Sequence, residues 1–175
     1  MAGVNRIGKL HSTGNRVKRI APGLPFRRYN RYFATKRSRR GIDRPDCWGI
    51  MFEVTVEDTF AAGHYLRNYK GKCENPHGHN YKIRVTLAGA ELDKAGLLLD
   101  FKDLREVMKH VIERLDHQMI NEIEPFTVIN PSAENLAKYF YDQSNTRLQS
   151  VTSGRVRVKD VTVFETDTTT ARYSE

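Results

Sequence analysis

A cysteine set four residues ahead of a His-Gly-His is the densest chemistry in this chain. The stretch GKCENPHGHNY, residues 71–81, holds Cys73, His77 and His79. Residues i and i+2 of a strand project to one side, about 6–7 Å apart. Two imidazoles so placed can share one cation, and zinc takes such nitrogen donors at about 2.0–2.1 Å. A third donor must come from elsewhere. His64 is the best placed, because it continues the apolar parity of the segment before it. The fourth position separates two outcomes. With Cys73 as a ligand the site is closed and structural. With Cys73 turned away, three histidines leave a position for water or substrate, which is the catalytic arrangement.

Asp116 and His117 form a second pair of interest. One reading is a helix C-terminus, where a cationic histidine is favourable. The other is a carboxylate that tunes an imidazole for proton transfer. His11 falls in a basic tail and His110 on a helix surface, so neither joins the candidate site.

These residues need elements to hold them. Ile50, Phe52, Val54, Val56 and Phe60 fall on even positions with Glu53, Thr55, Glu57 and Thr59 between them. That is the period of a half-buried strand, and His64 keeps the buried parity if the strand runs on. Residues 77–89 alternate again: Tyr81, Ile83, Val85 and Leu87 share one face, Lys82, Arg84 and Thr86 the other. From 100 to 116 the period changes. Phe101, Leu104, Val107, Met108, Val111, Ile112 and Leu115 follow three-and-four spacing, an amphipathic helix with Asp100 as N-cap. A second helix starts at PSAEN, with Ser132 as cap and Leu136, Tyr139 and Phe140 as its buried stripe. In the last strand region Val156 and Val158 are even, yet Val161 and Val163 are odd. The slip near Lys159-Asp160 reads as a bulge, and it leaves Glu165 on the face of Val161 and Val163. Two strands, two helices and two strands in that order predict an α+β domain: an antiparallel sheet with helices on one face.

Charge divides the chain. Residues 1–42 carry twelve Lys or Arg and no acid, leaving 17 basic against 21 acidic residues in the remainder. Residues 1–45 therefore read as a basic arm: solvated, or a mitochondrial-type transit peptide, or an RNA-binding arm with Tyr29, Tyr32 and Phe33 interleaved. Residues 46–175 are the folded domain, mildly acidic, so charge gives no support for nucleic-acid binding outside the arm. No run of about 18 apolar residues occurs, which excludes a membrane-spanning helix. Two cysteines are no disulfide framework, and a reducing compartment is the simpler expectation. The expected location is cytoplasmic, or mitochondrial if residues 1–45 are a transit peptide.

The segments FAAGH (60–64), GKCENPHGHNY (71–81), GLLLDF (96–101), LDHQMIN (115–121), PSAENLA (131–137) and FET (164–166) occur in one order. Together they resemble the 6-pyruvoyl-tetrahydropterin synthase and 6-carboxy-tetrahydropterin synthase family, from about residue 50 to the end. The resemblance implies a T-fold: a four-stranded antiparallel sheet with two helices on one face, in ββααββ order. It implies barrel trimers that stack in pairs, so a homo-oligomer. It implies Zn2+ held by His64, His77 and His79, with Cys73 left free as the proton acceptor. His117 would assist, polarised by Asp116, with Glu165 in the relay. Glu134 would anchor the pterin ring, whose adjacent N–H donors a carboxylate can accept together. Ser132 and Thr166 would contact the substrate beside it. Lys70 and Lys72 flank Cys73 and are the candidate cations for a triphosphate. Glu74, directly after Cys73, is a spare acid of the kind some relatives use in place of the cysteine.

The implied activity is a zinc-dependent lyase that converts 7,8-dihydroneopterin triphosphate to 6-carboxy-5,6,7,8-tetrahydropterin, toward deazapurine nucleosides such as queuosine. The close alternative is the 6-pyruvoyl product of the biopterin pathway. An alternative of another class is a non-catalytic zinc module whose basic arm docks on RNA; it requires Cys73 as a metal ligand.

Overall fold

The alternation that begins at Phe52 is a strand. In the computed structural model, which describes residues 51–175, β1 runs Phe52–His64 and turns Val56, Phe60, Ala62 and His64 inward while Glu57 and Thr59 stay exposed. β2, His77–Gly89, pairs with it antiparallel, and the two strands meet residue for residue from Phe52↔Gly89 to His64↔His77. Two helices follow, α1 at Phe101–Ile112 and α2 at Ala133–Thr152, then β3 at Arg157–Phe164 and β4 at Thr170–Ser174. The four strands form one antiparallel sheet in the order β1-β2-β3-β4. That is the expected α+β arrangement. The basic arm, 1–45, and the readings placed on it lie outside the described residues. No helix among the described residues is long and apolar enough to cross a membrane.

One side of the sheet is apolar and receives both helices. Val56, Phe60, Ile83, Val85, Val161 and Val163 pack against Leu104, Met108, Leu136 and Phe140 in one core. Each such side chain contributes about 1.5–3 kcal/mol by leaving water. The other side is polar, carrying the ion pairs Arg84–Glu57, Lys159–Glu53 and Arg172–Asp160 across neighbouring and next-but-one strands.

The slip in β3 is a bulge. Thr86 pairs with Asp160 and Leu87 with Val158, so Lys159 is the extra residue and buried positions pass from even to odd. The helix starts also follow the sequence. Asp100 accepts the Lys102 N–H at 2.8 Å and Ser132 accepts the Asn135 N–H at 3.4 Å, each satisfying a first-turn donor.

Two details of α1 differ from expectation. Phe101 begins the helix but is 59% exposed, outside the buried stripe that starts at Leu104. The helix also ends at Ile112, four residues early, and Leu115 is buried from a turn instead. The chain then runs parallel beside β1: the His117 N–H donates to the Ala61 carbonyl at 2.6 Å and the Gly63 N–H to the Gln118 carbonyl at 2.9 Å. Asp116 and His117 are therefore a clamp on the edge of β1 rather than a helix C-terminus.

Candidate metal centre and active site

β1 and β2 deliver three imidazoles to one point. His64 closes β1, His77 opposes it across the pair, and His79 follows two residues on, on the same face of β2. One ring nitrogen of each lies within 4.8 Å of the others, and among the described residues no Cys, Asp or Glu joins that mutually close group. Cys73 stands outside it, on a 3-10 turn, Lys72–Glu74, between the two strands.

The protonation of two of these rings follows from their partners. His64 Nδ1 lies 2.8 Å from the Pro131 carbonyl, and His77 Nδ1 lies 2.8 Å from the Asn75 carbonyl. A carbonyl only accepts, so each Nδ1 carries the proton and each neutral ring leaves Nε2 bare. Those two bare nitrogens face one another at 3.1 Å. Glu165 Oε1 adds a further acceptor, 3.3 Å from His64 Nε2 and 3.7 Å from His79 Nε2. His79 Nε2 is buried without a hydrogen-bond partner among the described residues. Protonating His64 would relieve the crowding, but its burial holds the pKa below the ordinary histidine value, against the raising effect of the Pro131 carbonyl. Lone pairs so converged call for a cation. A tetrahedral zinc with bonds of about 2.0–2.1 Å would set two nitrogens roughly 3.3–3.4 Å apart, close to the 3.1 Å between His64 and His77. Orientation of each Nδ1 by a backbone carbonyl is the outer-shell pattern of a metal-bound histidine.

Tyr81 backs the cluster. It continues the parity of His77 and His79, is fully buried, and sets its ring edge-on to His64 and His79. Burial, then the Glu165 charge, pushes its phenol well above the ordinary range, so it stays protonated. The sequence shows Tyr81 only as a core residue.

Beside the cluster lies a pocket of about 280 Å³ lined by Cys73, Ser132, Glu134 and Glu165, with Leu66 and Tyr69 among its walls. Four residues singled out from the sequence therefore meet there. Ser132 Oγ already serves as the α2 cap. Thr166 is not in that lining. Its hydroxyl bonds Thr169 Oγ1 at 2.7 Å and accepts the Thr169 N–H at 3.1 Å, which orders the β3–β4 turn. Lys70 and Lys72 are exposed on the loop, outside the lining, as is Glu74.

His117 belongs to a different pocket, of about 480 Å³, whose walls include Gly63, His79 and Met119. Its ring is 79% exposed, with Nδ1 2.9 Å from Asp116 Oδ2. The other Asp116 oxygen accepts the Ala61 N–H at 3.0 Å, and that bond, ahead of the His117 contact, holds the carboxyl below its usual range. His117 also has a positive φ of 58°, uncommon outside glycine. Within one chain it lines a different pocket from Cys73.

Comparison with known proteins matches residues 53–175 to a family described as 6-pyruvoyl tetrahydropterin synthase. A 6-carboxy-5,6,7,8-tetrahydropterin synthase from Aquifex aeolicus is 32% identical over 161 residues, covering 72% of this chain and 99% of the relative. A human 6-pyruvoyl tetrahydrobiopterin synthase is 36% identical over 136 residues, covering 69% of this chain and 90% of the relative. Among solved structures, the 6-pyruvoyl tetrahydropterin synthase of Caenorhabditis elegans superposes with a TM-score of 0.62 at 28% identity, over 72% of this chain and 96% of that one.

Proposed function

The chain belongs to the 6-pyruvoyl tetrahydropterin synthase family, and on that premise we propose that it is a zinc-dependent lyase converting 7,8-dihydroneopterin triphosphate to 6-carboxy-5,6,7,8-tetrahydropterin. The observation that carries this reading is the convergence of imidazole nitrogens beside a pocket that holds two carboxylates and a thiol lying outside the donor group. The 6-carboxy product is favoured because the relatives from Aquifex aeolicus, Haemophilus influenzae and Bacillus subtilis all carry that name.

His64, His77 and His79 would hold the zinc. Bound there, zinc would supply Lewis acidity toward a diol's oxygens and a positive field that favours thiolate over thiol. Glu134, exposed at the first turn of α2, would accept the paired N–H donors of the pterin ring and fix its orientation. Cys73, on the wall of the same pocket, would accept the proton from the activated side-chain carbon. Glu165, which lines this pocket and lies 3.3 Å from His64 Nε2, would pass a proton along. His117 and Asp116 would serve the Cys73 of a second copy, since within one chain the two occupy separate pockets. A homo-oligomer is part of this proposal. Lys70 and Lys72 would meet the triphosphate at the open end of the loop.

The reading of a closed zinc module requires the Cys73 sulfur among the converging donors, and it is not in that group. The 6-pyruvoyl alternative keeps the support of the human relative. Product analysis with 7,8-dihydroneopterin triphosphate separates the two. Release of acetaldehyde with a 6-carboxy product is the expected result. A pyruvoyl product without acetaldehyde would replace it with the alternative.

A further inference from the structure

Beyond His64 the chain leaves the sheet, and the next three residues are held from both sides. On one side the Leu66 N–H donates to the Cys73 carbonyl at 2.8 Å, which ties down the turn that carries the thiol. On the other side, two side-chain amides stand where a strand would. Asn121 accepts the Tyr65 N–H and donates to the Tyr65 carbonyl, both at 2.9 Å. Asn130 accepts the Arg67 N–H at 2.8 Å and donates to the Arg67 carbonyl at 3.0 Å. The Arg67 guanidinium reaches back to the carbonyls of Phe126 at 2.9 Å and Ile129 at 3.2 Å, closing the loop on itself. Next to Asn130, the Pro131 carbonyl takes the His64 Nδ1–H. A single segment, 121–131, thus grips His64, Tyr65 and Arg67 in turn.

We infer that Asn121 and Asn130 are positioning residues that fix the offset between the His64 imidazole and the turn bearing Cys73. The chemistry is specific to an amide. Only Asn or Gln presents an acceptor and a donor side by side, matching the N–H and C=O of one backbone residue. An ionised Asp of the same shape keeps the acceptor but sets a carboxylate against the carbonyl it should donate to. Asn121 is 4% exposed, so water cannot replace the lost bond. The consequence for turnover rests on the lyase reading above; the placement of the Cys73 turn does not.

The test uses the full chain with Asn121→Asp and Asn130→Asp, and Leu148→Ala as a control that loosens the buried face of α2 without touching this segment. Iodoacetamide labelling of Cys73 is followed on its own peptide, beside kcat and KM. Both Asn variants should label Cys73 about tenfold faster than wild type, through local opening of 65–73. They should also lose about 10²-fold in kcat at little change in KM, the cost of roughly 1 Å of misplacement. The control should match wild type in labelling. If the Asn variants label no faster than Leu148→Ala at equal melting temperature, the inference is overturned. Should Asn121→Asp not fold, the half-buried Asn130→Asp carries the same comparison. If the wild type turns over no pterin, the lyase reading fails, and labelling still decides the positioning.

Discussion

His64 and His77 point their Nε2 atoms at each other across 3.1 Å, each ring donating its Nδ1–H to a backbone carbonyl. The pair sits at the last rung of the β1–β2 ladder, so the strand register itself sets the donor spacing.

Removing one of these rings should empty the centre. His77→Ala is expected to weaken zinc binding by more than the roughly 10–100-fold typical of losing an outer-shell partner. Elemental analysis after dialysis checks this. Zinc should also raise the melting temperature of wild type, since about 100 Kd of free ligand stabilises by about 2.7 kcal/mol. The variant should show no such rise.

Cys73→Ala should behave in the opposite way. Zinc stays bound and kcat falls by about 10²–10⁴-fold, the range for loss of a general base. Loss of zinc along with the thiol would make Cys73 a ligand and return the centre to a structural role.

Acid should destabilise the metal-free protein through His64. Burial lowers its folded pKa, so between the folded and unfolded values the unfolded chain binds more protons. The contribution is complete above the unfolded value of about 6.5 and is lost as pH falls through the folded one. A melting series from pH 8 to 5 should decline on the acid side. His64→Phe should flatten that decline, whereas an unchanged slope would place its origin in other groups.

The helices should report their own anchors. Phe140→Ala empties a fully buried position and should cost about 3–5 kcal/mol in denaturant unfolding. Asp100→Ala removes only the cap on Lys102 and should cost about 1 kcal/mol. A loss at Asp100 as large as that at Phe140 would mean that the first turn of α1 carries as much stability as a core position of α2.

Parity and period made much of this fold readable in advance. The alternation through Val56 and Phe60 reaches His64, and the slip at Lys159 is visible as two valines out of phase with two others. The end of α1 was not readable, because Leu115 extends the three-and-four spacing while being buried from a turn. Phe101 misled for a related reason: an aromatic in a first turn fits the stripe in sequence while its ring projects beyond the packed layer. At the candidate centre, spacing proposed the imidazoles but left the fourth donor open. The 3-10 turn at Lys72–Glu74, which keeps the thiol out of the donor group, has no periodic signature. Asn121 closes the LDHQMIN segment and Asn130 precedes PSAEN, yet nothing in either marks a main-chain role, since polar residues that bond the main chain look like any loop asparagine.

The supernumerary residue of β3 has a use far from where it sits. Every side chain downstream of Lys159 is rotated by half a pleat relative to the first part of the strand. Were the strand continuous, Phe164 would take the inward phase and Glu165 would be carried to the charged back of the sheet. One inserted lysine thus acts as a phase-shifter, and the acid beside the imidazoles owes its orientation to it.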